Sequence, residues 1–229
     1  MTEYARHLEE YIEDFYREAT PLPPDYKWGD RELAEEYLRK YWLPEQEYFD
    51  VWKPIQDRVF RIDKKVYVNG EWIPDSSLLP DIVFPPEFKM IAMIGGCLFG
   101  DEDFKQLQKA LLEMGEKYFV VIQRSQEVFM FGISMFRMKF PVNITWEELT
   151  SGNYISAVLV KMLFNEYFVF GKTGNWGKYV ATDYVWPLDI IGFKPKLSKI
   201  FEKHIVLTDA DRENLSGCLP QNYRERIGQ

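Results

Sequence analysis

Apolar residues recur every three or four positions through roughly the first fifty residues, then give way to alternation and short solid runs. Between Thr2 and Thr20 they fall at Tyr4, Leu8, Tyr11, Ile12, Phe15 and Tyr16, a helical stripe with carboxylates and arginines between its members. Pro21-Leu22-Pro23-Pro24 ends that helix, because proline lacks an N–H to donate. Asp30 is placed to cap a second helix carrying Leu33, Tyr37, Leu38 and Tyr41, and Pro44 interrupts it before a further turn or short helix from Glu45 to Trp52.

From Arg58 the period changes. Val59-Phe60-Arg61-Ile62 and Val66-Tyr67-Val68 are strand-like, and Asn69-Gly70 before Glu71-Trp72-Ile73 reads as a hairpin turn. Pro74 to Pro86 is a proline-rich connector, and Phe88 to Ile94 is a buried strand. Asp101 or Asp103 starts a helix over Phe104–Met114 that ends at Gly115, and strand Tyr118–Gln123 follows. This strand–helix–strand unit suggests a parallel pair with a right-handed crossover. Val128 to Phe140 reads as one or two strands. Thr145 with Glu148 forms a capping box, and Tyr154–Phe164 has helical spacing. Two aromatic runs around a Gly/Asn-rich turn, Tyr167–Phe170 and Tyr179–Ala181, predict a second hairpin; Pro187–Phe193 is extended, a last helix holds Ser198–Phe201, and the tail from Thr208 is peripheral.

These elements predict an α+β protein with a helical N-terminal region, then a mixed or antiparallel sheet with flanking helices. Residues 1–229 read as one domain. Composition adds that 46% hydrophobic and 17% aromatic residues can fill a sizeable core. The short apolar runs fall well below the roughly 20 residues of a membrane span. The acidic start lacks the basic and apolar regions of a secretory signal, so the expected compartment is the cytoplasm.

Charge changes the picture more. The net charge is −8, and residues 1–53 hold 14 Asp/Glu against 7 Lys/Arg, so nearly all the excess lies at the front. Such a surface disfavours nucleic-acid phosphates and suits a basic protein partner; the alternative is a solvated helix face. Glu9, Glu10, Glu13, Asp14, Glu35 and Glu36 are the candidate contacts.

Candidate chemistry is sparse. Gly171-Lys172-Thr173 fits the end of a phosphate loop, but Glu166 stands where the first glycine belongs and a strand-like run follows where a helix is needed, so turn chemistry is the better reading. Asp183, Asp189 and Glu166 could converge as a carboxylate cluster for a metal-assisted hydrolase, without a recognised spacing. Gly132–Phe136 lacks the last glycine of a serine-nucleophile elbow. Cys97 follows two glycines and could be a reactive or a buried thiol. Two cysteines, Cys97 and Cys218, and two histidines, His7 and His204, make no ligand set, so neither a metal nor a cofactor is expected. Trp176 between Gly174, Asn175 and Gly177 packs on its own domain or anchors a partner, and it joins the partner-binding candidates.

Tyr167–Gly171, Asn175–Tyr179, Asp183 and Pro187–Phe193 together resemble the C-terminal half of immunity proteins of bacterial polymorphic toxin systems, in the style of the SMI1/KNR4 group, over residues 160–204. That resemblance implies a protein that neutralises a toxin by binding it, without chemistry of its own. The expected assembly is a monomer or weak dimer.

Overall fold

The computed structural model describes residues 31–61, 65–68, 71–74, 83–94, 98–124, 137–152, 156, 159, 166–182 and 187–207. The helix expected over Thr2–Thr20, most of the segments expected at Val128–Phe140 and Tyr154–Phe164, and the tail from Thr208 lie outside these residues. Within them the chain is α+β.

Helix α1 (Arg31–Tyr41) leads to a continuous helical stretch made of α2 (Glu45–Glu47), a π turn (Tyr48–Trp52) and α3 (Lys53–Val59). The wide turn comes just before Pro54, whose ring would crowd the carbonyl four residues back and which has no N–H to give it; Lys53 N donates to Tyr48 O one residue further away. Strand-like spacing at Val59 proves misleading: this residue closes α3, and Phe60 becomes extended only after it.

Strands β1 (Lys65–Val68) and β2 (Glu71–Pro74) form the expected hairpin. The main sheet contains β3 (Lys89–Ile94), β4 (Tyr118–Arg124), β5 (Arg137–Pro141), β6 (Glu166–Gly171), β7 (Trp176–Thr182) and β8 (Pro187–Phe193), in the order β3-β8-β7-β6-β4-β5. Every neighbouring pair is antiparallel. The expected parallel pairing of β3 with β4 is therefore wrong. The two strands do point the same way, but β8, β7 and β6 stand between them, so the helix α4 (Asp101–Glu113) crosses a wide stretch of sheet.

Two apolar layers cover the sheet. On one face α1, α4, α5 (Trp146–Leu149) and α6 (Ser198–His204) bury Tyr37, Leu107, Leu149 and Phe201 against Phe119, Val169, Ile191 and Phe193. On the other, the π turn and α3 place Trp52, Ile55 and Val59 with Phe60, Phe84 and Phe88 over Val120, Phe168, Phe170 and Ile190. Alternation along each strand produces this division, since successive side chains leave opposite faces.

Gly177 of β7 stands opposite Gly192 of β8; a Cβ on Gly177 would collide with Val59 and the Phe60 ring, and one on Gly192 with the Phe84 ring, and the two ring centroids lie 5.3 Å apart. The paired glycines are the floor on which two aromatic rings rest. Gly192→Ala is expected to lower stability by about 1–3 kcal/mol through overpacking, with part restored by Phe84→Leu in the same chain. Urea unfolding would reveal it, and an unchanged midpoint for Gly192→Ala would show that the ring is free to shift.

Among the described residues no helix is long and apolar enough to cross a membrane.

Candidate functional site

The turn between β6 and β7 is built around a buried carboxylate. Gly115, with φ 75°, ends α4 in the left-handed region, and the N–H groups of Gly115 and Glu116 close onto Leu112 O and Leu111 O, each at 3.0 Å. That reversal sends the Glu116 side chain beneath the hairpin. Its Oε1 accepts from Thr173 N at 3.3 Å, from Thr173 Oγ1, and from Trp176 Nε1 at 3.1 Å. Gly171 has to be glycine here, because a Cβ would run into both the Glu116 carboxylate and the Trp176 indole.

Two sequence readings are decided by this geometry. The Gly-Lys-Thr segment runs into strand β7, and its threonine hydroxyl is occupied by Glu116, so it is turn chemistry. Trp176 is 0% exposed and packs beside Phe201, ring centroids 6.5 Å apart. As a partner-binding residue Trp176 is a correction: its indole lies inside its own domain, and the glycines around it serve close packing rather than display.

A second polar feature lies at the centre of the sheet. Lys178 shares a face with Trp176 and Val180, and Asp189 shares the same face with Ile191 and Phe193. Lys178 Nζ donates to Asp189 Oδ2, and the two side chains are 2% and 4% exposed. The ammonium also sits 5.5 Å from the centroid of Phe99. Asp189 Oδ1 has no hydrogen-bond partner. Burial pushes the Asp189 carboxyl above its ordinary value of 3.8, against the opposing pull of Lys178.

Of the expected carboxylate cluster, Asp183 lies outside the described residues, and Glu166 opens β6 opposite Arg124. Asp189 is held in an ion pair away from water. Among the described residues no group of three or more His, Cys, Asp or Glu is arranged to hold a metal ion.

The third feature is the outer side of α1. Tyr37, Leu38 and Tyr41 face the core, and Tyr37 donates to Leu149 O at 2.6 Å. Leu33, Glu36, Arg39 and Lys40 face outward, and Leu33 is 50% exposed. Glu148 binds Lys40 and Tyr41, which fastens α1 to α5, and those hydrogen bonds hold its carboxyl below the ordinary 4.5. Thr145 Oγ1 does accept from Glu148 N, at 3.1 Å, but the Glu148 side chain goes to α1 instead of completing the reciprocal half of a capping box.

Comparison with protein-family models, curated proteins and solved structures returns no match.

Of the acidic candidates, Glu36 is exposed on α1 and Glu35 falls within the same helix, whereas Glu9, Glu10, Glu13 and Asp14 lie outside the described residues. Sequence reasoning passed over Glu116 and Lys178. Lys178 lies in a strand buried on both faces, with Trp176 and Val180 on one and Tyr179 on the other, so no polar–apolar alternation signals it. Glu116, just beyond a helix, has no local sign of its long-range partners.

Proposed function

We propose that this protein is a non-enzymatic binding module that neutralises a basic protein partner, in the manner of an immunity protein that blocks its toxin. The observation that carries the reading is the outer side of α1. A half-exposed Leu33 with Glu36 one turn on offers an apolar contact beside a carboxylate. Interfaces commonly combine such an apolar centre with charged surroundings that steer the approach. Residues 1–53 as a whole carry nearly all of the excess acid, and the resemblance of residues 160–204 to toxin-immunity proteins points to the same class of partner. If that partner acts on nucleic acid, its working surface is basic, and carboxylates laid over it exclude the substrate.

The test is association with the basic product of an adjoining gene, followed by stopped-flow fluorescence. Reversing Glu9, Glu10, Glu13 and Asp14 to lysine is expected to slow association several-fold at low salt, with the difference shrinking once the screening length falls to about 8 Å. Leu33→Ala is expected to speed dissociation. Wild-type rates for the reversed variant at every salt concentration would refute the electrostatic contact. Absence of any complex with basic partners would refute the function.

A further inference from the structure

The sheet's register gathers positive charge at one end. β3 begins at Lys89 opposite Phe193, and Phe193 in turn stands opposite Trp176. Lys194 follows Phe193, and its N–H donates to Asn175 O at 2.9 Å. Lys172 occupies the β6–β7 turn, and Lys117 leads into β4, whose Phe119 faces Gly171. Lys196 comes two residues beyond Lys194, and Arg58 lies in the last turn of α3 beside Gly174. Five of these six side chains are exposed and Lys194 is half-buried.

The acids nearby leave most of this charge unopposed. Glu116 is buried beneath the turn, Glu47 is engaged chiefly by Lys139 and more weakly by the charge of Lys172, and Glu113 is engaged by Lys203 and His204. Glu87 is an exposed carboxylate just before β3. Among the described residues none of the salt bridges involves the six cations. From β3 to β4 the row crosses four strand spacings, about 19 Å.

We infer that this end of the sheet is a docking surface for an acidic polypeptide segment, distinct from the outer side of α1. The length suits a helix of about twelve residues or an extended run of about six. Five lysines and one arginine act mainly as point charges, which pair with carboxylates and phosphates alike. A net charge of −8 opposes a nucleic-acid backbone at a distance, whereas a short acidic segment meets only the local field.

Fluorescence anisotropy would test this with three labelled probes: an oligoglutamate peptide of about twelve residues, an oligothymidylate of matched charge, and vesicles containing phosphatidylserine. The peptide is expected to bind with steep salt dependence, and Lys172→Glu with Lys194→Glu to weaken it about tenfold without a change in melting temperature. Lys105→Glu with Lys109→Glu changes net charge equally on α4 and is expected to alter binding less than about twofold. Equal losses in the two variants would reduce the effect to net charge and overturn the site. Tighter binding of the oligonucleotide or the vesicles would overturn the polypeptide assignment, and no peptide binding at low salt would overturn the surface itself. The probes carry no basic contact surface, so the outcome is independent of the role proposed for α1.

Discussion

Asp189→Leu is expected to lower the unfolding free energy by about 3–5 kcal/mol, although leucine suits a buried strand better than aspartate does. The reason is Lys178. Its ammonium is 2% exposed and donates to Asp189 Oδ2, so removing the carboxylate leaves a buried cation facing the Phe99 ring. Lys178→Met is expected to cost a similar amount by stranding Asp189, one of whose oxygens already has no partner. The double variant Lys178→Met with Asp189→Leu removes both desolvation penalties together. It is expected to return to within about 1 kcal/mol of the natural protein or to exceed it, because a well-packed apolar pair commonly matches a buried ion pair. Urea unfolding of the four proteins at neutral pH yields the coupling energy directly. Single variants that lose less than about 1 kcal/mol would mean that water reaches the pair.

Such a pair was legible only in part. Lys178 and Asp189 sit in runs that read as strands, but these strands bury both faces, so no alternation marks either residue as inward, and a polar residue there shows its partner only when strand order is known. That order is where the sequence falls silent. The hairpin of β6 and β7, the helix α1 and the final strand β8 follow from local periods and turn residues, and each stands where the pattern predicts. Pairing of β3 with β8 joins residues about a hundred positions apart, and no local period encodes it. A strand–helix–strand pattern therefore suggested adjacency that three intervening strands prevent. At Val59 the ambiguity was one of length: a short apolar run fits the end of a helix as well as a strand, and burial of Ile55 and Val59 on one side of α3 decides it. The acidic excess of residues 1–53 was legible as charge, and of its six candidate contacts Glu36 stands on an exposed helix surface.

Trp176→Ala is expected to cost about 3–5 kcal/mol, the range for removing a large aromatic from a packed core. Two losses combine. The indole fills space beside Phe201 at 0% exposure, and its Nε1–H is one of the donors that hold the Glu116 carboxylate beneath the hairpin. Trp176→Phe separates them by keeping most of the ring while deleting the donor, with an expected cost of about 1–3 kcal/mol. Glu116→Gln keeps an acceptor in place without its charge. Its cost is expected to fall in the same range, since hydrogen bonds to a carboxylate are roughly twice as strong as neutral ones. If Trp176 and Glu116 act as one unit, the costs of Trp176→Phe and Glu116→Gln will not add in the double variant. Thermal and urea unfolding supply these numbers, and dissociation of the proposed protein partner supplies the control. Because the indole is enclosed, Trp176→Phe is expected to leave the dissociation rate near that of the natural protein. A Trp176→Ala variant that melts normally but releases its partner faster would reverse the assignment, returning the tryptophan to the surface as a contact residue and leaving Glu116 without its indole donor.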